Sequence, residues 1–393
     1  MPRYPDYSAR VDKILHGSFN AFRKKLNHHK KQGSLVPLHI GDTYLLPPKA
    51  ARSIEETGFM ESAENHIYGP ILGYGWLREA LGARVADFYG LNYGAGDIFV
   101  GAGSTGCLSV AAQSLFDFGD EVIVLTPSWP LIFGVLIGVG AVPIQLPVSK
   151  SGWPDEDPAE FLERLEGAIT DKTAAIYFSN PNNPVGYCHS RRWLEAIAET
   201  ARKNNLWVFS DEAYADLTFT SQKHIPFLSL PDVKEFGLAF YTFSKSYAMA
   251  AHRVGYCLHP RSVKAQLSKM MTHTIYQAPA ISQMMALRAL EGGKKYVSGL
   301  AKTYEEAAKY VVENLQAKFA APQAGYYVFI NFSDSAEGED SLPIIERILD
   351  EGISLAPAAT FGADFKKFAR LCYSSVPFDE LKKAIDKINS IIS

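Results

Sequence analysis

The sequence predicts an α/β protein, with a large domain built on a mostly parallel, mixed sheet flanked by helices and a smaller α/β domain toward the C-terminus. Three observations carry that prediction. Between about residues 97 and 260, short apolar runs alternate with longer amphipathic ones, the pattern of a sheet covered by helices. Most of the apolar runs end in Gly, Pro, Ser or Asn, so polar residues gather just beyond strand ends, where α/β folds form their sites. After about residue 290 the texture changes to a long amphipathic stretch followed by more widely spaced apolar runs.

Seven strands are expected in the first region, at 97–100, 121–125, 141–146, 174–178, 206–209, 238–243 and 254–258. The second region reads as a long helix over 294–319 and a strand over 326–332. A charged break at 333–340 follows, then a helix over 342–351, strands near 353–355 and 368–373, and a closing helix from Asp379. With 393 residues, the chain exceeds what one small core organises. The expected division is an N-terminal segment, 1–45, packed on the small domain, then a large domain, 46–290, and a small domain, 291–393. Neither an internal repeat nor a low-complexity linker separates them.

The bulk numbers exclude several function classes. Composition is 47% hydrophobic and 21% charged, ordinary for a soluble globular chain. Net charge is −3 with both signs interleaved, which points away from nucleic acid and from membrane surfaces. The basic cluster between Arg23 and Lys31 reads as a solvated helix face. Cys107, Cys188, Cys257 and Cys372 are far apart and never spaced as C-x-x-C, against zinc or a disulfide framework and in favour of buried thiols in a reducing compartment. The N-terminus lacks an apolar signal core and no run has membrane-spanning length, so a cytoplasmic location is expected.

Five places carry chemistry. Lys245 follows the aromatic run 237–243, so its amine emerges at a strand end; partial desolvation there favours the neutral, nucleophilic form that condenses with carbonyls. Arg253, eight residues on, can grip a phosphate. The stretch 100–106, with Gly103, Ser104 and Thr105, follows a strand and opens a helix beginning near Cys107, a cup for a phosphate. The same glycines spell G-x-G-x-x-G, but the next strand ends Leu125-Thr126-Pro127-Ser128-Trp129 without the acidic residue that a dinucleotide ribose wants.

Trp129, held between prolines, can stack on a flat ring. The turn 179–186 can present the Asn183 amide to a ring hydroxyl. Asp211, at the end of the apolar run 206–209, needs a cationic partner that a protonated pyridine nitrogen supplies, and Tyr214 can turn back to the same ring. Each feature alone has a purely structural reading, such as a snorkelling lysine, a core tryptophan, a plain loop or a helix-capping aspartate. Together they match the needs of pyridoxal phosphate group by group.

The chain also resembles the class I/II aminotransferases, the fold type I family of pyridoxal-phosphate enzymes, over about 41–373. The motifs are Tyr68-x4-Gly73-x3-Leu77-Arg78, Gly119-Asp120-Glu121-Val122 leading into Pro127-Ser128-Trp129, the 180–186 turn, Asp211-Glu212-Ala213-Tyr214, Ser244-Lys245 with Arg253-Val254-Gly255, and Phe368-Ala369-Arg370-Leu371.

The resemblance implies that Lys245 forms the internal aldimine and moves the proton between substrate Cα and the cofactor. It implies Asp211 at the ring nitrogen, Asn183 and Tyr214 at the ring hydroxyl, and Trp129 on the ring face. Ser104, Thr105, Thr242 or Ser244, and Arg253 would hold the phosphate, with Tyr68 reaching in from the second subunit of a homodimer. Arg370 would clamp the substrate α-carboxylate, helped by Asn183 and the backbone near Gly41. The activity implied is ping-pong transfer of an amino group from an L-amino acid to a 2-oxo acid. Lyase, decarboxylase, racemase and oxidase chemistry on the same scaffold remain alternatives. Thr242 stands where the family often has serine. No arginine occurs in 272–283 and Ser104 stands where one group of members has a lysine, so dedicated aspartate specificity is not expected.

Overall fold

The structure, a computed structural model, describes residues 8–14, 22–155, 157–219, 221, 223–335 and 339–392. Seven strands form the main sheet: β1 (Ile98–Gly101), β2 (Glu121–Thr126), β3 (Val142–Pro147), β4 (Thr173–Ser179), β5 (Trp207–Asp211), β6 (Gly237–Thr242) and β7 (Gly255–Leu258). Their order is β1-β7-β6-β5-β4-β2-β3. β7 runs antiparallel to both β1 and β6, and the remaining pairs are parallel. The mixed sheet and all seven expected strands are therefore present, with bounds moved by one or two residues.

Parallel neighbours need crossovers, and the helices Gly103–Leu115, Leu131–Val139, Ala159–Gly167 and Arg191–Lys203 lie between successive strands. Such a sheet is covered on both faces, so its strands read as apolar runs. Alternation divides them: Ile123, Val208 and Ala239 belong to one core, and Val122, Val124, Phe209 and Phe240 to the other.

A second sheet has the order β8-β10-β9, with β8 (Tyr327–Asn331), β9 (Ala356–Pro357) and β10 (Phe368–Cys372) all antiparallel. Its core joins Val311, Ile330, Ile345, Leu371 and Ile385. The expected strand at 353–355 falls instead at Ala356–Pro357, because Ile353 bridges Val36 in parallel before the chain reaches β10. The expected helix over 294–319 is Gly293–Asn314. Beyond it other partners replace the helical hydrogen bonds, as Gln316 N–H donates to Asn389 Oδ1 at 2.8 Å and Asn331 N–H to the Lys318 carbonyl at 2.7 Å.

The later part of the N-terminal segment lies along this smaller unit, but residues 8–14 do not: Arg10 Nη1 donates to the Gly138 carbonyl at 3.1 Å, at the end of the Leu131–Val139 helix of the main sheet. Lys25 pairs with Glu346 at 2.8 Å and Asp350 at 2.6 Å, while Cys372 N–H donates to the Leu38 carbonyl at 2.8 Å. All four cysteines are buried and free. Among the described residues no helix is long and apolar enough to cross a membrane, and no cluster of metal-ligating side chains occurs.

Candidate active site

The C-terminal ends of β4, β5 and β6 open into a cavity of about 130 Å³. Ser104, Thr105, Trp129, Asn183, Asp211, Tyr214, Thr242, Ser244, Lys245 and Arg253 all line it, although they span 150 positions of sequence. The strand-end rule explains the convergence, since parallel strands deliver the residues past their C-terminal ends to one edge of the sheet.

At one end of the cavity the glycine-rich turn starts its helix at Gly103, four residues earlier than expected, with Gly103 at φ +73°. A side chain there would collide with the Arg253 guanidinium, and one at Gly255 would sit 2.5 Å from Ser104 N. The two glycines thus let backbone and guanidinium approach closely enough to form a cup. Thr242 caps the next turn: Ser244 N–H donates to its Oγ1 at 3.1 Å, and its own hydroxyl donates to Ser244 Oγ at 2.9 Å. Arg253 Nη1 reaches Ser244 Oγ at 3.4 Å and the Ala250 carbonyl at 2.9 Å. Helix start, two hydroxyls and one guanidinium make an anion-binding end.

Asp211 closes β5 and is buried. Burial pushes its carboxyl up to about 6, partly opposed by the Tyr177 hydroxyl, which donates to Oδ2 at 2.9 Å, and by Ala213 N–H at 3.2 Å. Tyr177 was not anticipated from sequence. Its signal was a hydroxyl inside an apolar strand adjacent to the one that ends in Asp211.

Lys245 lies in the short helix Phe243–Ser246. Burial pushes its amine down to about 8; Asp42 and Cys372 pull it partly back, and Arg370 and Arg253 add to the lowering. Nζ donates to the Gly41 carbonyl at 2.6 Å. A Cβ at Gly41 would collide with the Tyr327 hydroxyl, so this backbone approach requires glycine.

Arg370, on β10, is buried behind the cavity lining and reaches it at Asn183. Nη1 donates to Asn183 Oδ1 at 3.0 Å and Nη2 to the His39 carbonyl at 2.9 Å. The guanidinium carbon lies 4.3 Å from the Tyr327 ring centroid and 4.9 Å from that of Phe361. Nε is buried without a hydrogen-bond partner, a donor left for something else. Tyr214 and Tyr327 share a hydroxyl hydrogen bond of 2.7 Å. Burial pushes the His39 imidazole down to about 4, so it is neutral, and it bonds Ser354 Oγ at 2.5 Å. Asp42, His39, Tyr327 and Phe361 escaped the sequence reading, because each takes part through spatial neighbours rather than a local motif.

Tyr68, expected to reach in from a second subunit, is not brought to the cavity by its own chain. It is 81% exposed and packs on Tyr276 with ring centroids 4.8 Å apart, outside the cavity.

A family model described as aminotransferase class I and II matches residues 34–388. Aspartate aminotransferase of Thermotoga maritima is 31% identical over 375 residues, covering 93% of both chains. Aspartate/prephenate aminotransferase of Thermus thermophilus is 27% identical over 98% of both. Among solved structures, aspartate aminotransferase from Thermotoga maritima superposes with a TM-score of 0.88 at 28% identity, covering 98% of this chain and 99% of that one. Thermus thermophilus aspartate aminotransferase with maleate superposes with a TM-score of 0.89 at 26% identity, covering 99% and 100%.

Proposed function

Because the chain belongs to the class I and II aminotransferases, we propose that it moves an amino group from an L-amino acid to a 2-oxo acid in two half-reactions in the cavity around Lys245, with pyridoxal phosphate as cofactor. The observation that carries this reading is a half-buried lysine, its amine lowered to about 8, in the same cavity as a buried aspartate and an anion-binding helix start.

The residues present fit the cofactor. The cup made by Gly103, Ser104 and Thr105 with Arg253 and Ser244 suits a phosphate, and the Gly103 and Gly255 backbones leave the space a Cβ would fill. Asp211 suits a protonated ring nitrogen, which supplies the positive partner that a buried carboxylate otherwise lacks. Trp129 offers a ring face, and the Asn183 amide nitrogen remains a donor because Arg370 occupies its oxygen.

Bound pyridoxal phosphate supplies an aldehyde that condenses with amines and a cationic ring that accepts the electron pair left at Cα. The chain's own residues do the rest. Arg370 binds the α-carboxylate through the guanidinium edge that includes the unpartnered Nε, held by Asn183, His39, Tyr327 and Phe361. That grip orients the Cα proton toward Lys245, whose amine, easier to deprotonate than an ordinary lysine's, takes it in its uncharged form and passes it on. Asp211, kept in place by Tyr177, stabilises charge at the far end of the ring. The exposed Tyr68 contributes to the cavity of a second copy in a homodimer. The side-chain preference is broad or aromatic-leaning rather than dedicated to aspartate, since 272–283 offers no arginine and position 104 no lysine to a second carboxylate.

The test is the visible absorption of the cofactor-loaded protein while single amino acids are added without a 2-oxo acid. Conversion of the aldehyde form of the cofactor to its amine form, with release of the matching 2-oxo acid, is expected. Ammonia or peroxide in place of the 2-oxo acid would move the assignment to lyase or oxidase chemistry.

A further inference from the structure

A cavity of about 690 Å³ shares no lining residue with the one around Lys245. It lies between the end of the Gly75–Tyr89 helix, residues after β5, and one face of the Gly293–Asn314 helix, where Lys294, Val297, Ala301 and Glu305 recur at helical spacing. Its size is within the range of pockets that enclose a whole small molecule.

Two buried polar groups line it. The Asp216 side chain is 5% exposed; it pairs with Arg84 at 2.5 Å and accepts from the Tyr89 hydroxyl. The His224 side chain is 4% exposed, with Nε2 on Glu212 Oε2 at 2.9 Å, while Nδ1 is buried without a hydrogen-bond partner. A buried ring nitrogen with no partner costs free energy unless something supplies one. Whether that nitrogen donates or accepts depends on the ring's tautomer, and a ligand hydroxyl can do either.

The charges around the cavity narrow the ligand further. Lys294 is taken by Asp87, Lys309 by Glu305 and Asp216 by Arg84. That leaves Lys223 and Lys302, exposed and without an ion-pair partner among the described residues, against the single Glu306. The surplus is one positive charge. The walls between are apolar, with Phe88, Val297 and Ala301.

Both polar groups belong to networks that end beside the other cavity. Glu212, fully buried, is the neighbour of Asp211 and also holds the Tyr241 hydroxyl at 2.7 Å and Phe227 N–H at 2.9 Å. Asp216 lies two residues beyond Tyr214. Its partner Arg84 donates to Tyr247, two residues beyond Lys245, at 3.2 Å and to Tyr256 at 3.1 Å.

We propose that this cavity is an effector site for a small monoanion with an apolar, hydroxyl-bearing body, a hydroxyaryl carboxylate being the simplest case, and that its occupancy alters turnover at Lys245 through these two networks. The probe is 4-hydroxyphenylacetate, titrated calorimetrically into the cofactor-loaded enzyme, so the binding arm does not depend on the assigned reaction. Expected is one site per chain that survives Arg370→Leu, weakens at least tenfold in Lys223→Glu/Lys302→Glu, and disappears in Ser298→Trp, which fills the cavity from an exposed helix position. At saturating substrates the probe should change kcat in the wild type and leave Ser298→Trp unaffected. Absence of binding at millimolar probe overturns the site, as does binding that Arg370→Leu abolishes and the cavity substitutions spare. Binding with unchanged kcat overturns the effector role.

Discussion

The wall of the Lys245 cavity that carries Asp211, Asn183, Thr242 and Lys245 comes from consecutive strand ends of one sheet. A second wall, of Arg370, Tyr327, His39 and Gly41, stands behind the cavity lining, meets it at Asn183, Tyr214 and Lys245, and is assembled from separate chain stretches. On the first wall Thr242 and Asp211 are held locally or from the adjoining strand, Thr242 by Ser244 and Asp211 by Tyr177, while the Asn183 and Lys245 side chains reach across to the second wall. On the second wall the contacts are long-range: Arg370 to the His39 carbonyl, Lys245 to the Gly41 carbonyl, and Ser374 Oγ to the Asp42 carbonyl at 2.7 Å. The difference suggests a division of labour. A wall fixed by its own sheet suits a resident group, and a wall held by a few separable contacts suits a substrate that must enter and leave.

Substitutions can break that division. The largest effect is expected at the point where the walls meet: Lys245→Ala should lower turnover by more than about a thousandfold, the scale of positioned acid–base catalysis, while far-ultraviolet circular dichroism stays unchanged. Near-normal turnover would remove Lys245 from the reaction.

Next, Asp211→Asn should reduce kcat by roughly a hundredfold or more with little change in KM, because it weakens charge stabilisation at the far end of the ring. Steady-state kinetics would show the split. Arg370→Leu should do the opposite, raising KM by roughly tenfold to a hundredfold for the loss of a charge-assisted contact of about 1.5–3 kcal/mol. Equal effects of both substitutions on kcat and KM would mean that the two walls do not act separately.

The smallest effect sharpens the comparison by asking whether the second wall tunes the first. In cofactor-free protein, acylation of Lys245 should rise with pH through a midpoint near 8. Asp42 favours the charged amine, so Asp42→Asn should move the midpoint down. Stability follows the same sign. Below about 8 the folded state carries the full cost of the buried charge; between about 8 and the ordinary 10.5 it binds fewer protons than the unfolded chain, so stability rises with pH. Lys245→Met should flatten that rise in denaturant titrations at several pH values.

The same contrast explains what was legible beforehand. Asp211, Asn183, Trp129 and Lys245 could be placed on one side of a sheet because each follows an apolar run, and strand ends converge whatever the packing details. The start of the Gly103 helix and the end of the Gly293–Asn314 helix were misplaced by several residues. The first begins early because a positive-φ glycine opens it, and the second ends early because Asn389, far along the chain, takes the Gln316 N–H. Tyr177, Asp42 and Tyr327 were missed because their effect is a distance in space.

The sequence by itself therefore determined the class of fold, the order of its strands along the chain and the group of strand-end residues that share one cavity, since period and punctuation are local properties of a chain. The tertiary structure alone decided how far the Lys245 amine is lowered, what holds Arg370 and how a second cavity closes over Asp216 and His224. Burial and charge at a point are sums over neighbours brought from everywhere in the chain, and no local pattern encodes such a sum.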